Sequence, residues 1–224
     1  MLHIDVETRS TCELKKSGAY HYAEDPSTEV LCMALLDSDT GHRSTWVPGE
    51  SVPAAFQDSL LVVAAWNASF ERLIYQNILQ PRHGFPALEL WQWFDPSALA
   101  RQYGLPSGLG SCATAVGFEE DLQKSKEGRD VMLKMSKPRS MESGQPVWWD
   151  TPELRQQLLD YCIQDVEVEY AIHCFLTNPK ESHVRTTSQE THPKSSSQQG
   201  ASDQRQRNAG HHAHPEFDLA DSEA

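Results

Sequence analysis

Strand-like patterns fill the first half of the chain and helical patterns fill the second, and this order most constrains the fold. Residues 1–7 alternate between apolar and polar side chains, as in a half-buried strand. The continuous apolar run Leu60–Ala65 predicts a strand that is buried on both faces. With two further runs and a last short one, we predict strands over residues 1–7, 29–36, 43–47, 60–65 and 88–93.

Helical signals begin after the fourth predicted strand. A helix is predicted from Ser69 to Leu79, ended by Pro81 and Gly84. Asp95-Pro96 and Thr151-Pro152 each place a capping side chain before a proline, a typical helix start. The further helices are predicted over residues 95–104, 111–116, 129–135 and 151–176. One strand–helix–strand unit lies between the halves, so we expect an α/β or α+β layer with a mixed sheet.

The composition changes sharply after Asn178-Pro179. Residues 180–210 are rich in Ser, Gln, Thr, His and Arg and have almost no large apolar groups, so they cannot repay the entropy of ordering. We predict one domain over residues 1–178 and a disordered polar tail over residues 179–224. No apolar run approaches the roughly 18 residues of a membrane span, and the N-terminus does not resemble a signal peptide. We therefore expect a cytoplasmic protein.

The charge of the chain is unevenly distributed. The net charge is −13, yet the segment from Lys124 to Arg139 holds six basic residues against two acidic ones. A solvated helix face and a contact with a nucleic-acid strand explain this segment about equally well. The five cysteines are scattered and form no CxxC pair, so buried free thiols are expected.

Three carboxylate-bearing segments stand out as candidates for chemistry. Asp5 and Glu7 lie two apart on one face of the first strand, about 7 Å apart at Cα. Two neighbouring acids repel unless a cation lies between them, and oxygen ligands favour Mg²⁺ or Mn²⁺. Such a triplet is common, and taken alone it is better explained by an exposed polar strand face.

The second segment, Asn67-Ala-Ser-Phe70-Glu71, follows a predicted central strand, where open α/β sheets place ligand sites. Glu71 would also suit the first turn of a helix for its dipole alone. The third, Tyr161-Cys-Ile-Gln-Asp165, lies in the apolar stripe of the long helix, with the tyrosine one turn before the acid. A carboxylate there is costly to bury unless it is paired or binds a metal ion. A buried Tyr–Asp hydrogen bond would be the alternative.

In this order, the three segments resemble the signature of the DEDD superfamily of 3′–5′ exonucleases, in its tyrosine subtype. The segments 18–25, 98–106 and 124–128 are also similar to the exonuclease domains of phage-type DNA polymerases. The resemblance covers about residues 1–176. One departure is Glu71, at a position that usually holds Asp. Since only a polar tail follows the long helix, we expect a stand-alone exonuclease or a truncated product.

The resemblance implies a ribonuclease H-like fold with a mixed five-stranded sheet flanked by helices. It also implies two-metal hydrolysis of a DNA 3′ end, releasing nucleoside 5′-monophosphates with two Mg²⁺ or Mn²⁺ ions. The implied metal ligands are Asp5, Glu7, Glu71 and Asp165, and Tyr161 would orient the attacking water. The implied substrate-binding residues are Thr8, Asn67, Phe70, Lys124, Lys126 and Arg129.

Two alternatives to this function stay open. One is an exoribonuclease of the same superfamily, with identical chemistry and different sugar contacts. The other is a non-catalytic nucleic-acid-binding or replisome accessory module, suggested by Glu71 and by the acidic balance. The expected partners are a DNA 3′ end and, as a further candidate, a separate DNA polymerase or replisome protein; no membrane partner is expected.

Overall fold

A computed structural model describes residues 1–118 and 126–178 of this protein. Its main sheet has five strands, which are β1 Leu2–Arg9, β2 Glu29–Asp37, β3 Arg43–Trp46, β4 Val63–Ala64 and β5 Trp93–Phe94. They lie in the order β3-β2-β1-β4-β5. The pairs β1–β2 and β2–β3 are antiparallel, whereas β1–β4 and β4–β5 are parallel. This α/β fold with a mixed sheet confirms the predicted fold class and is consistent with a ribonuclease H-like fold.

Seven α-helices, two 3₁₀ turns (Ala54–Gln57 and Leu90–Gln92) and a small hairpin complete the described part. The helices are α1 Leu14–Glu24, α2 Ser69–Ile74, α3 Gln80–His83, α4 Pro96–Gln102, α5 Leu109–Ala115, α6 Lys126–Met135 and α7 Pro152–Thr177. A π-helical turn, Tyr75–Leu79, joins α2 to α3. The hairpin between α6 and α7 consists of β6 Pro138–Glu142 and β7 Gln145–Trp148. No described helix has the length and apolarity that a membrane-spanning helix needs.

The two faces of the sheet bury different helices because the side chains of β1 alternate. Leu2, Ile4 and Val6 face a core that includes Tyr75, Ile78 and Leu79 of the π-helical turn. The other face of the sheet packs against α7, where the apolar core is made by residues of β2, α6 and α7. Since His3, Asp5 and Glu7 alternate with the first set, they point to the α7 side.

The structure confirms the first three predicted strands and the helices that begin after Asp95 and Thr151. The Asp95 carboxylate accepts a hydrogen bond from Ser97 N, and the Thr151 hydroxyl accepts one from Leu154 N, so both predicted caps are formed. All five cysteines are free, and Cys32, Cys112 and Cys162 are buried.

Several boundaries were predicted wrongly. Only Val63–Ala64 of the predicted strand 60–65 pairs, and Leu60 is 76% exposed, because Asp58 captures the backbone N–H groups of Leu60 and Leu61 in a turn. In the predicted strand 88–93, Leu90–Gln92 forms a 3₁₀ turn stabilised by a reciprocal cap between Glu89 and Gln92.

The helix that begins at Ser69 does not end at Pro81. Pro81 lacks a backbone N–H and its ring would clash in a regular helix, but the wide π-helical turn directly before it accommodates the ring. The helix ends instead at Gly84, which has φ 75°. Helix α1 and the β6–β7 hairpin were not predicted.

The basic segment 124–139 is not one helical face, since Arg139 lies in β6. Lys124 and the tail predicted for residues 179–224 lie outside the described residues.

Candidate metal centre

Three acidic side chains converge between β1 and α7. Carboxylate oxygens of Asp5, Glu7 and Asp165 all lie within 4.8 Å of one another. Asp165 is only 4% exposed, and the other two are half-buried. Three like charges at this separation repel strongly where water is scarce, and a divalent cation would remove that repulsion. Hard carboxylate oxygens are ligands that Mg²⁺ and Mn²⁺ prefer, so the residues fit such an ion.

The side-chain alternation of β1 and its pairing with β2 position two of these carboxylates. Asp5 and Glu7 share the α7-facing side of β1, and the pairing register with β2 shifts between Glu7 and Thr8. The unpaired residue is Leu31 of β2, so the irregularity lies in the strand opposite Glu7 and Thr8, and such irregularities are often found beside active sites. Cys162 of α7 also donates a hydrogen bond from its thiol to the backbone oxygen of Asp5, at 3.3 Å.

Glu71 lies beside this cluster but outside the group of three. Its side chain is buried, being 6% exposed, in the first turn of α2. Burial raises its pKa well above the usual 4.5, and the negative charge of Asp5 raises it further. Its Oε2 atom is buried and has no hydrogen-bond partner in the part of the chain that the structure describes. Glu71 is therefore close enough to Asp5 for their charges to interact, and one of its two carboxylate oxygens lacks a hydrogen-bond partner among the described residues.

The turn before α2 has an unusual backbone. Asn67 has φ 65°, in the left-handed region that residues other than glycine adopt at a cost. Its N–H donates to Asp95 Oδ1 at 3.1 Å, and its backbone oxygen accepts from Phe70 N at 3.0 Å. These bonds hold the exposed Asn67 side chain at the edge of the sheet where β4 ends, beside the half-buried Phe70.

Tyr161 and Thr8 each lie near one of the acids in sequence, on α7 and on β1. Tyr161 is buried one turn before Asp165 and lines a groove of about 280 Å³ between α6 and α7. Thr8 is buried directly after the register shift, and its hydroxyl lies 3.0 Å from the Tyr22 hydroxyl. The predicted role of Thr8 in binding substrate stays a prediction.

The predicted basic contacts are only partly described. Arg129 is exposed on α6, the helix that borders the groove. The backbone of Lys126 begins α6, and Lys124 lies outside the described residues. Lys134 and Arg139 instead lie over the ring of Trp149, at 4.3 and 4.8 Å from its centroid.

The sequence analysis missed a buried polar network next to the acidic cluster. His3 Nδ1 lies 2.8 Å from Glu169 Oε1, and Glu169 Oε2 accepts a hydrogen bond from Trp66 N at 2.8 Å. His3 Nε2 also lies 3.3 Å from His173 Nδ1. Burial lowers the pKa of His3 and of His173 to about 4 and raises the pKa of Glu169. Two features of the sequence indicate this network: His3 shares a strand face with Asp5, and Glu169 follows Asp165 by one helical turn.

Comparison with known proteins found a similarity to a phage protein. The chain is 34% identical over 181 residues to a protein described as a DNA polymerase from Bacillus phage SP02. The match covers 76% of this chain but only 27% of the phage protein, so the chain spans about a quarter of its relative. No family model matches the chain. The chain is thus similar to one part of a phage DNA polymerase.

Proposed function

We propose that this protein is a metal-dependent 3′–5′ exonuclease that removes nucleotides from single-stranded or frayed DNA 3′ ends. The observation that carries the proposal is the convergence of Asp5, Glu7 and Asp165 within 4.8 Å, with Glu71 buried beside Asp5. The similarity to part of a phage DNA polymerase supports DNA as the substrate class. The reaction would be hydrolysis of the terminal phosphodiester, in which water bonds to phosphorus and the bond to the 3′ oxygen breaks.

The carboxylates would supply the ligands of two Mg²⁺ or Mn²⁺ ions. Asp5, Glu7 and Asp165 would hold one ion, and Asp5 with Glu71 would hold the other, directly or through water. When bound, such ions lower the pKa of a water molecule and stabilise the negative charge of the leaving oxygen. Glu71 would have to be ionised to bind, and its unsatisfied oxygen is consistent with a site built to receive a cation.

Tyr161 would act on the water rather than on the metal. A phenol has a pKa of about 10, so it is a poor proton acceptor at neutral pH but a good hydrogen-bonding group. Its place on α7, one turn before Asp165 and lining the groove, suits a role in orienting the attacking water.

The groove between α6 and α7 would receive the end of the strand. It is lined by both polar and apolar groups, including Val131 and Gln164. Arg129 is exposed on α6, the helix that borders the groove, and Lys124 and Lys126 precede or begin the same helix in the sequence. Contacts from such residues to backbone phosphates would position the strand without reading its sequence.

The test is digestion of single strands labelled at either end, with Mg²⁺, with Mn²⁺ and with EDTA. We expect a 3′-labelled strand to release labelled mononucleotide at once and a 5′-labelled strand to shorten stepwise. EDTA and Asp165→Ala should each abolish both. Release of labelled mononucleotide from the 5′ end first, or equal activity of Asp165→Ala, would contradict the proposal.

A matched RNA strand of the same sequence separates DNA from RNA preference. Because the chemistry is the same, only the rate on the two sugars differs, and we expect the DNA strand to be degraded faster. Faster degradation of the RNA strand would change the proposed substrate from DNA to RNA and would leave the proposed metal centre unaffected.

A further inference from the structure

Glu169 joins the three segments that carry the acidic centre. It belongs to α7, as Asp165 does. Its Oε1 lies 2.8 Å from Nδ1 of His3, on the strand that carries Asp5 and Glu7. Its Oε2 accepts from the backbone N–H of Trp66, at 2.8 Å, in the turn that leads to Glu71. One side chain of α7 therefore contacts both β1 and the β4–α2 turn.

The hydrogen bonds of this network form one consistent chain. Burial keeps His3 and His173 neutral at pH 7, so each ring carries one N–H. When Glu169 is ionised, His3 donates from Nδ1 to Glu169, and its Nε2 accepts from Nδ1 of His173, at 3.3 Å. Both carboxylate oxygens of Glu169 act as acceptors.

The geometry of a strand and a helix explains why this contact matters for the metal ligands. Two residues of a strand advance about 6.6 Å, and four residues of a helix advance about 6 Å. Asp5 and His3 on β1 are therefore matched by Asp165 and Glu169 on α7. The register that brings Asp165 to Asp5 and Glu7 therefore also brings Glu169 to His3, one step further along both elements.

Burying the ionisable side chains of His3 and Glu169 is unfavourable in free energy, which indicates that the network has a role other than stabilising the fold. His3 is 0% exposed and Glu169 is 1% exposed. Buried ionisable pairs are often less stabilising than apolar groups of the same shape, and their best-attested use is to specify one arrangement of packed elements. Neither residue belongs to the three-carboxylate group, so the proposed chemistry does not require them directly.

We propose that His3 and Glu169 are positioning residues that fix the register of α7 on β1 and thereby set the divalent-cation affinity of the acidic centre. The proposal rests on the metal-binding part of the proposed function and does not depend on nuclease activity.

The test is calorimetric titration of the full chain with Mn²⁺, without nucleic acid, together with thermal unfolding of each variant. Glu169→Leu and His3→Leu remove the hydrogen bonds while keeping side chains of similar size. Groups behind metal ligands typically change affinity by about 10- to 100-fold when lost, and we expect each variant to bind Mn²⁺ at least about tenfold more weakly. The double variant should lose little more than either single one, since both changes break one contact.

Two further variants separate positioning from a general loss of stability. In Glu169→Gln, the amide oxygen can accept from Trp66 N and the amide nitrogen can donate to Nδ1 of His3 in its other tautomer, so affinity should stay within about threefold of wild type. Glu167→Gln is the matched control. It removes an α7 carboxylate that pairs with Arg43 of β3, away from the centre, and should leave Mn²⁺ affinity unchanged.

Wild-type Mn²⁺ affinity in a folded Glu169→Leu variant would overturn the inference, and so would equal losses in Glu169→Gln and Glu169→Leu. If Glu169→Leu fails to fold, the comparison of His3→Leu with Glu169→Gln decides in the same way. Wild-type protein that binds Mn²⁺ but does not hydrolyse DNA would refute only the proposed function. Wild-type protein that binds no Mn²⁺ would refute both.

Discussion

The two faces of the central sheet bury very different side chains. On the α2–α3 side, Phe85 lies among the rings of Trp46, Phe56 and Tyr75, with centroids 5.0–5.7 Å away. On the α7 side, β1 buries an imidazole and faces carboxylates. The first arrangement contributes apolar burial and aromatic contacts. The second places three carboxylates beside a separate apolar core between the sheet and α7. Under the proposed function, the chemistry would lie on this face and the aromatic core on the other.

Asp5→Asn should have the largest effect and should separate activity from stability. Loss of a metal ligand removes several kcal/mol of transition-state stabilisation, and each 1.36 kcal/mol is a factor of ten, so hydrolysis should fall about 10³- to 10⁴-fold. In EDTA the unfolding temperature should not fall, because one of the repelling charges is gone. Release of label measures the expected loss of hydrolysis, and thermal unfolding in EDTA measures the expected unfolding temperature. A large loss of stability would make Asp5 a structural group.

Phe85→Ala should show the opposite behaviour. Removing a buried ring from a core typically lowers the free energy of unfolding by about 3–5 kcal/mol. Urea unfolding measures this loss, with Phe85→Leu as a milder control. Hydrolysis per folded molecule, measured at low temperature, should stay close to wild type. A matching loss of activity would show that the two faces are coupled.

Glu71→Gln should make the metal-free protein more stable, and more so at higher pH. The folded pKa of Glu71 is raised, so the unfolded chain loses this proton first, near pH 4.5, and the folded state is penalised above that pH. The gain should be near zero at pH 4.5 and grow towards pH 8, because Gln cannot acquire the buried negative charge that the folded wild-type protein carries at high pH. Urea unfolding in EDTA at the two pH values measures it.

The exposed carboxylate of Asp130 offers a control for this measurement. Asp130→Asn should change stability little at either pH. A Glu71→Gln variant that is less stable than wild type at pH 8 in EDTA would show that the Glu71 carboxylate is satisfied in the folded protein.

Asp150→Asn should have the smallest effect. Hydrogen bonds from Arg155 lower the pKa of Asp150, and Arg9 at the end of β1 adds to this. Its contribution is therefore present above about pH 3.8 and is lost as the pH falls through the lower folded value. The ions are partly exposed, so we expect a loss of less than about 1 kcal/mol at pH 7, reduced by salt. An effect as large as that of Phe85→Ala would contradict the proposed division of stability between the faces.

Local chemistry accounts for what could be predicted from the sequence. The alternation of residues 1–7 and the caps at Asp95 and Thr151 are local patterns, and they correctly located β1, α4 and α7. The period of two on β1 also correctly placed Asp5 and Glu7 on one face, and the stripe of α7 placed Asp165 toward them.

The failures came where a backbone partner or a distant contact decides the structure. Leu60 looks like a buried strand residue, but the Asp58 turn captures its N–H and leaves it exposed. The contact of His3 with Glu169 joins residues 166 positions apart, and no local pattern reports such a pairing. Nor could the sequence show that Glu71 would lie beside Asp5 yet outside the closest group of carboxylates.

The most direct test of the acidic centre is anomalous diffraction from crystals grown with Mn²⁺. We predict a manganese peak bonded to oxygens of Asp5, Glu7 and Asp165, and a second peak between Asp5 and Glu71 when a nucleotide is present. Crystals with Mn²⁺ in excess that show no peak between β1 and α7 would contradict the account, whatever other surface sites they reveal.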